Sequence, residues 1–316
     1  MEVNTQDRPS IWNLVARNSK PIVRLAGQGD GTPIYLIHAI AGDIGFFSPL
    51  ADLAADGRVI YGVQVPNHKI NAEFGRSISG LAEFYVDALL EFQPSGPVML
   101  GGWSAGSTIA LEMAQILKRR GREVALLISF DGILYHTGAR LRGWDPRYLS
   151  QLFANVRLWR DRARARRLGV QCSLELLWRD LKLAWACWAI EHRLLGNVTD
   201  TFLEEGVWPA KRLPFIRSVY RAIEEYHPKP YDGRVLVYLA KVQCFFHLWQ
   251  VDNCWRKIAP TAEFHTIHCM HDDMFKDGNP EQMGLHLRQY LSQSPGPAKP
   301  ASIPVAEREA SDYLKR

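Results

Sequence analysis

Residues Val98–Ala114 read VMLGGWSAGSTIALEMA, and this stretch carries the clearest information about the fold. Its beginning, Val98–Gly101, is short and apolar, which predicts a buried strand. Its end begins a segment, Ser107–Arg120, that predicts a helix, and Gly121 follows where that helix should end. Between them lies Gly102–Gly106 (GWSAG), which fits the pattern G-x-S-x-G. A strand, a tight turn and a helix in this order predict that the central serine is lifted above the edge of a sheet.

The turn has a specific chemistry. Glycine is expected at positions 102 and 106 because a bend this sharp leaves no room for side chains beside it. The helix that follows directs its N-terminal N–H groups and the positive end of its dipole towards the turn. We therefore predict that Ser104 is a nucleophile and that the N–H of Ala105 stabilises an oxyanion. A phosphate-binding loop is the alternative, but the Gly-Lys-Ser/Thr ending of a Walker loop is absent.

Strands and helices alternate on both sides of this stretch. The predicted strands are Ile34–His38, Arg58–Val65, Val98–Gly101, Glu123–Phe130, Gly233–Ala240 and Ala262–His268. The predicted helices are Phe46–Ala55, Ile78–Phe92, Ser107–Arg120 and Pro280–Leu291. This alternation indicates an α/β fold with a mostly parallel, doubly wound sheet, as in the α/β-hydrolases.

The alternation stops between residues 135 and 225, where the sequence is rich in Trp, Leu and Arg and has no clear strand. We predict that this block is helical and is inserted into the sheet domain as a lid over the active site. The resulting division is a flexible arm (1–20), an α/β-hydrolase core (21–134 and 226–292), the helical lid (135–225) and a disordered tail (293–316).

The loop after the first core strand, residues 38–42, is expected to supply the second oxyanion donor. The N–H of Ile40 or that of Ala41 can fill this role, and the sequence does not distinguish them. His38 is interpreted as a structural residue, because the base of an α/β-hydrolase follows its serine along the chain.

Asp131 is the predicted acid of a catalytic triad. It directly follows the strand after the nucleophile helix, at the end of the sheet where catalytic groups collect. An aspartate there can orient an imidazole and stabilise its charged form. Asp252 is the chief competitor, because it follows the next predicted strand, and a turn role for Asp131 before Gly132 is the simpler alternative.

The base is expected in a loop after the last strand, where His265, His268 and His271 are clustered. His271 lies beyond the predicted strand end and is our choice, with His268 as the alternative. A metal site is not favoured, because strand alternation places His265 and His268 on opposite faces. We therefore expect no metal and no resident cofactor.

The composition excludes several classes of protein. A net charge of +5 is too small to indicate nucleic-acid binding by itself, and it is compatible with an acidic partner. Five cysteines without a CxxC pair favour reduced thiols and a cytoplasmic location. No signal sequence is recognisable, and the longest apolar stretch is shorter than the ~20 residues that a membrane span needs.

With these residues assigned, the chain resembles the thioesterase domains that terminate nonribosomal peptide and polyketide synthases. The resemblance runs from about Pro21 to Leu291 and is most specific in Pro97–Ala114 (PVMLGGWSAGSTIALEMA). Further matching stretches are Pro33–Gly42, Val59–Pro66, Val124–Gly132, Asp252–Trp255 and the region around His271, Met274 and Phe275. The chain departs from the family at Met270, where glycine is common, and at Ser107, which also replaces a common glycine.

The resemblance implies a function. Ser104, Asp131 and His271 would release an acyl, peptidyl or polyketide chain from the phosphopantetheine thioester of a carrier protein, by hydrolysis or by cyclisation. Only about twenty residues precede the predicted core, so we expect a free-standing enzyme that acts on a separate carrier. Six arginines between Arg157 and Arg167 would either contact that carrier or form a solvated lid face. The alternatives are an esterase or lipase of small esters and a non-catalytic carrier-binding module.

Overall fold

The structure is a computed structural model that describes residues 20–137, 209–242 and 251–293, with the isolated positions 146, 150 and 153. The predicted arm up to residue 19, most of the predicted helical lid and the predicted tail from residue 294 lie outside the described residues, as does the arginine-rich segment.

The described residues form a sheet of seven strands in the order β1-β3-β2-β4-β5-β6-β7. β1 pairs antiparallel with β3, and every other pair in this sheet is parallel. The strands are β1 (Ile22–Ala26), β2 (Gly31–Ile37), β3 (Arg58–Val63), β4 (Val98–Trp103), β5 (Val124–Phe130), β6 (Val235–Val242) and β7 (Glu263–Met270). The predicted α/β fold with a mostly parallel sheet is confirmed.

Six α-helices have both ends in the described part of the chain, and we number them α1 to α6. They are α1 (Ser48–Ala54), α2 (Ile78–Phe92), α3 (Ala105–Arg119), α4 (Leu213–Glu225), α5 (Val251–Ile258) and α6 (Asn279–Gln293). Short 3₁₀ turns occupy Gly45–Phe47, Asn67–Lys69, Ala210–Arg212 and His271–Asp273. None of the helices in this part of the chain is long and apolar enough to cross a membrane.

The helices cover both faces of the sheet, and β2 shows how the strands divide their side chains between two cores. Tyr35 and Ile37 point into the core formed with α2, α3 and α4, whereas Ile34 and Leu36 point into the core formed with α1 and α6. Because successive side chains of a strand point to opposite faces, a strand that is buried on both sides is apolar throughout.

The strand order places the loops after β2 and β4 next to each other. From β2 the chain crosses to β3 on one side, and it then returns to β4 on the other side. Two neighbouring strands whose connections leave in opposite directions open a crevice at their carboxyl ends, which is where ligands bind in such sheets. In this chain the crevice lies between the loop 38–44 and the turn that contains Ser104.

Two glycines allow the backbone to pack tightly at this crevice. A Cβ atom on Gly106 would lie 2.5 Å from the carbonyl oxygens of both Ile37 and His38. A Cβ atom on Gly102 would lie 2.2 Å from the backbone of Gly106. Both distances are far below contact distance and involve main-chain atoms, so only glycine fits at either position.

We expect Gly106→Ala to lower the free energy of unfolding by at least about 2 kcal/mol, because the strand backbone must move to admit the methyl group. Gly80→Ala is the matched control, since Gly80 is also helical and a Cβ there would make only ordinary contacts, the nearest at 3.6 Å. That substitution should stabilise the protein by about 0.5–1 kcal/mol. Urea unfolding of both variants measures the two changes, and equal effects would contradict this account of the packing.

Candidate active site

Ser104 occupies a strained backbone conformation between β4 and α3. Its φ is 55° and its ψ is −119°, which is uncommon for a residue with a side chain. The strain, worth about 1–3 kcal/mol, is held on both sides by hydrogen bonds. The Ser104 N–H donates to the Phe130 carbonyl over 3.1 Å, and the Ser104 carbonyl accepts from the Ser107 N–H over 3.0 Å. The turn is therefore tied to the end of β5.

A second set of hydrogen bonds connects the turn to the loop that carries Asp131. The Ser107 hydroxyl donates to the Gly102 carbonyl over 2.6 Å, and the Ser129 hydroxyl donates to that of Ser107 over 3.1 Å. The N–H of Gly132 then donates to the Ser129 hydroxyl over 3.2 Å. Ser107, where the family commonly has glycine, thus joins the strand ends that carry Ser104 and Asp131.

Asp131 begins the loop after β5, in the left-handed conformation with a φ of 51° that aspartate tolerates better than most residues. Its side chain is only 3% exposed. One carboxylate oxygen, Oδ1, accepts from the Ala240 N–H over 2.9 Å, and the Asp131 N–H donates to the Tyr238 carbonyl over 2.8 Å. β6 therefore fixes the position of this carboxylate.

The other carboxylate oxygen of Asp131 contacts His271. The distance from Oδ2 to His271 Nδ1 is 2.8 Å, and the imidazole is 23% exposed. His271 opens the 3₁₀ turn directly after β7, as the sequence prediction of a base beyond the last strand requires. Met270 before it adopts an extended conformation, which explains why glycine is not needed there. Because Nδ1 faces Asp131, Nε2 is left to exchange a proton with a substrate or a nucleophile.

The competing residues lie elsewhere. Asp252 belongs to the first turn of α5, a helix that the sequence pattern did not predict. His268 lies within β7 with an exposed side chain. His265 stacks on His286 with a ring distance of 3.7 Å. Among the described residues, no group of three or more His, Cys, Asp or Glu side chains could hold a metal ion.

Residues 39–42 form a tight turn next to Ser104. The Gly42 N–H donates to the Ala39 carbonyl over 3.0 Å, so Ile40 and Ala41 are the two central residues of the turn. Within the described part of the chain, the N–H groups of Ile40 and Ala41 have no hydrogen-bond acceptor. Ala105 is the first residue of α3, where an N–H has no acceptor within the helix. These N–H groups are the ones predicted to stabilise an oxyanion.

His38 is fully engaged inside the core. Its Nδ1 lies 2.6 Å from the Ala39 carbonyl, and its Nε2 lies 2.6 Å from the Tyr85 hydroxyl. Burial lowers the pKa of His38 to about 4, so the ring is neutral at physiological pH. A neutral ring that faces a carbonyl through Nδ1 carries its proton there, and Nε2 accepts from Tyr85. These contacts agree with the prediction that His38 is structural.

An aromatic cluster supports the imidazole of His271. The Trp103 ring lies 5.6 Å from that of His271, and it also packs against Phe46 at 4.9 Å and Phe275 at 5.2 Å. Trp103 directly precedes Ser104, so this packing places the imidazole beside the turn. The sequence analysis missed Trp103 and Phe46, although an aromatic residue at the variable position of G-x-S-x-G was a visible signal.

Asp131 also controls the protonation of His271. Burial opposes the charged imidazole, but the hydrogen bond and the negative charge of Asp131, with a smaller contribution from Asp272, raise the pKa of His271 above its ordinary value. Because the folded-state pKa is raised, the stability contributed by this pair is fully present at low pH. It is lost as the pH rises through the pKa of the folded protein.

The strands, helices and contacts described above define a protein of the α/β-hydrolase fold class, with a buried acid–imidazole pair beside a strained serine turn. The comparison with known families agrees with this class, because the family model described as thioesterase domain matches residues 32–175. The predicted resemblance to thioesterase domains is confirmed by this match, which covers less than half of the chain.

Of two similar relatives, one is named as a thioesterase and the other as a nonribosomal peptide synthase. The thioesterase pytI of Aspergillus terreus is 38% identical over 122 residues, which cover 34% of this chain and 39% of that protein. A dimodular nonribosomal peptide synthase of Bacillus subtilis is 24% identical over 274 residues, or 86% of this chain and 11% of that protein. The chain thus spans well under half the length of these relatives.

A solved structure shows the same fold. It is the NocB thioesterase domain of the nocardicin cluster in covalent complex with a fluorophosphonate nocardicin G analogue. It has a TM-score of 0.54 and a sequence identity of 19%, and the match covers 85% of this chain and 99% of that one.

We predict that the His271 imidazole titrates above its ordinary pKa of about 6.5 and that Asp131→Asn lowers this pKa, because the negative charge is removed while the shape is kept. The imidazole resonances in ¹H–¹⁵N NMR spectra recorded against pH measure the change, and His271→Gln identifies the signal. Asp272→Asn is the control and should produce a smaller shift. An unchanged pKa in Asp131→Asn would contradict the assignment of this pair.

Proposed function

We propose that this chain is a serine thioesterase that releases an acyl, peptidyl or polyketide chain from the phosphopantetheine thioester of a carrier protein. The observation that carries the proposal is the contact between His271 Nδ1 and Asp131 Oδ2, beside the strained turn at Ser104. Because Nδ1 is bonded to Asp131, the other ring nitrogen, Nε2, can accept the serine proton. The match to the thioesterase family model supports a thioester rather than an oxygen ester as substrate.

The proposed reaction begins when Ser104 Oγ attacks the thioester carbonyl carbon and its proton passes to His271 Nε2. Asp131 orients the imidazole and stabilises its positive charge. The N–H of Ala105 and that of Ile40, or of its neighbour Ala41, hold the negative oxygen of the tetrahedral intermediate. The carbon–sulfur bond then breaks, and the pantetheine sulfur takes the proton from His271. The acyl group is left as an ester on Ser104.

The second half of the reaction releases the chain. Neutral His271 accepts a proton from the incoming nucleophile, which attacks the ester carbonyl, and the same proton returns to Ser104 Oγ as the ester bond breaks. Water as nucleophile gives a free acid, and an internal hydroxyl or amine of the chain gives a ring. The phosphopantetheine belongs to the substrate, so the proposed reaction uses no resident cofactor.

The partner in this proposal is an acyl or peptidyl carrier protein that is supplied as a separate chain. Curated relatives that are named as synthases support a carrier-bound substrate, as does the net charge of +5, which suits an acidic partner. We place the reaction in the cytoplasm. The buried thiol of Cys254 supports this location, because this cysteine forms no disulfide in the described part of the chain and disulfides predominate in oxidising compartments.

Intact-protein mass spectrometry after addition of a synthetic acyl-pantetheine thioester tests the proposal. We expect a transient acyl mass on the wild type and on Ser292→Ala, a control that removes an exposed serine at the end of α6. Ser104→Ala should show no acyl mass, and its turnover should fall on the order of 10⁴-fold or more. A separate carrier protein that bears the same acyl group should also be unloaded by the wild type.

Three results would contradict the proposal. Faster turnover of the matching oxygen ester than of the thioester would indicate an esterase. An acyl mass on Ser104→Ala would place the nucleophile elsewhere. Absence of both an acyl mass and fluorophosphonate labelling in the folded wild type would indicate a binding module.

A further inference from the structure

Arg212 makes a long-range contact with the turn that carries the second oxyanion donor. It ends the 3₁₀ turn Ala210–Arg212, directly before α4. Its Nη1 donates to the Ala41 carbonyl over 2.6 Å, across a sequence separation of 171 residues. The guanidinium is also 3.7 Å from Asp43 Oδ2, and both side chains are largely buried, at 13% and 11% exposure.

The bond from Arg212 fixes a particular peptide group. The peptide between Ala41 and Gly42 has its carbonyl bonded to Arg212 and its N–H bonded to the Ala39 carbonyl. The next carbonyl, that of Gly42, accepts from the Val65 N–H over 3.0 Å. With these groups held, the central residues of the turn keep one orientation, and the N–H groups of Ile40 and Ala41 donate no hydrogen bond within the described part of the chain.

The position of Arg212 is itself well determined. Phe215, one turn further along in α4, is fully buried, and its ring lies 6.3 Å from that of His38. A Cβ atom on Gly42 would lie 3.5 Å from the same phenylalanine ring. The buried start of α4 therefore packs directly on the turn and carries the guanidinium to it. The carboxylate of Asp43 faces the same Nη1 atom at ion-pair distance without a hydrogen bond, so the bond to the Ala41 carbonyl is the closer of the two contacts.

We infer that Arg212 is a positioning residue for the oxyanion hole. It acts through the Ala41 carbonyl and holds the N–H groups of Ile40 and Ala41 where the negative oxygen of the tetrahedral intermediate develops. Misplacement of such donors by about 1 Å is enough to slow a reaction on the order of 10²-fold. The inference rests on the proposed thioesterase function and adds a residue that is remote from Ser104 in the sequence.

The test compares Arg212→Ala and Arg212→Lys with Lys211→Ala, which removes the neighbouring exposed cation. With a saturating acyl-pantetheine thioester, we expect kcat of Arg212→Ala to fall about 10- to 100-fold while KM stays close to the wild-type value. Added guanidinium ion should restore part of the lost kcat. Arg212→Lys should be intermediate, because an ammonium can bond one carbonyl but lacks the planar fork. Lys211→Ala should behave as wild type.

A boronic acid with the same acyl chain provides the second measurement, because it forms a tetrahedral anion on the serine that uses the same N–H donors. Arg212→Ala should bind this boronic acid more weakly than the wild type does, by the same factor as the loss in kcat/KM. Its affinity for the pantetheine product should be unchanged. A role in folding alone would lower the amount of folded protein without this selective loss.

The outcomes separate the two proposals. Normal kcat and normal boronate affinity in folded Arg212→Ala, with an active wild type, would overturn the positioning role alone. The same holds if Arg212→Ala does not fold and folded Arg212→Lys has wild-type values. No turnover and no fluorophosphonate labelling in the wild type would overturn the thioesterase function, and the positioning role with it.

Discussion

The close approach of α3 to the end of β2 is the constraint on which the rest of the site depends. With glycine at position 106, the helix can begin against the carbonyls of Ile37 and His38, and with glycine at position 102 the chain can fold back on itself. This packing forces Ser104 into its strained conformation and aims the start of α3 at the crevice. It also brings the turn 39–42 beside the serine. Ser104 and the N–H groups that we propose as oxyanion donors are therefore placed by one set of backbone contacts.

The Asp131–His271 pair is built on the other side of Ser104 by the next strands of the sheet. β5 ends at Asp131, β6 supplies the Ala240 N–H that holds one carboxylate oxygen, and β7 ends directly before His271. Each residue comes from the carboxyl end of a different parallel strand, so their separation is set by the spacing of the strands. Burial of Asp131 strengthens its interaction with the imidazole, because little water competes for the carboxylate.

Much of this arrangement could be predicted from the sequence because its signals are local. The glycines around Ser104 lie between a strand pattern and a helix pattern, Asp131 follows an apolar run directly, and His271 lies just beyond another. The structure brings Asp131 and His271 into contact, and the bounds of α2 agree with its apolar spacing. The choice between Ile40 and Ala41 stays open, because both are central in the turn.

Other features could not be predicted because they depend on contacts between distant segments. β1 is a short edge strand with mixed burial, so its pattern is weak. α5 is recognisable only once Trp255 is seen to be buried and to donate to the Gly132 carbonyl, 123 residues away. No local sequence pattern predicts the contact of Arg212 with the turn 39–42, because a single arginine before a helix occurs in many structural settings. Its role becomes visible only when α4 is packed against the turn 39–42.

The central claim is that Ser104 is activated by the His271–Asp131 pair, and the most direct test is peptide mapping after reaction with a fluorophosphonate. We expect the adduct on Ser104 alone, formed quickly in the wild type and on the order of 10²-fold or more slowly in His271→Gln, because general-base assistance is lost. An adduct on another serine, or equal labelling rates in the two proteins, would contradict the account.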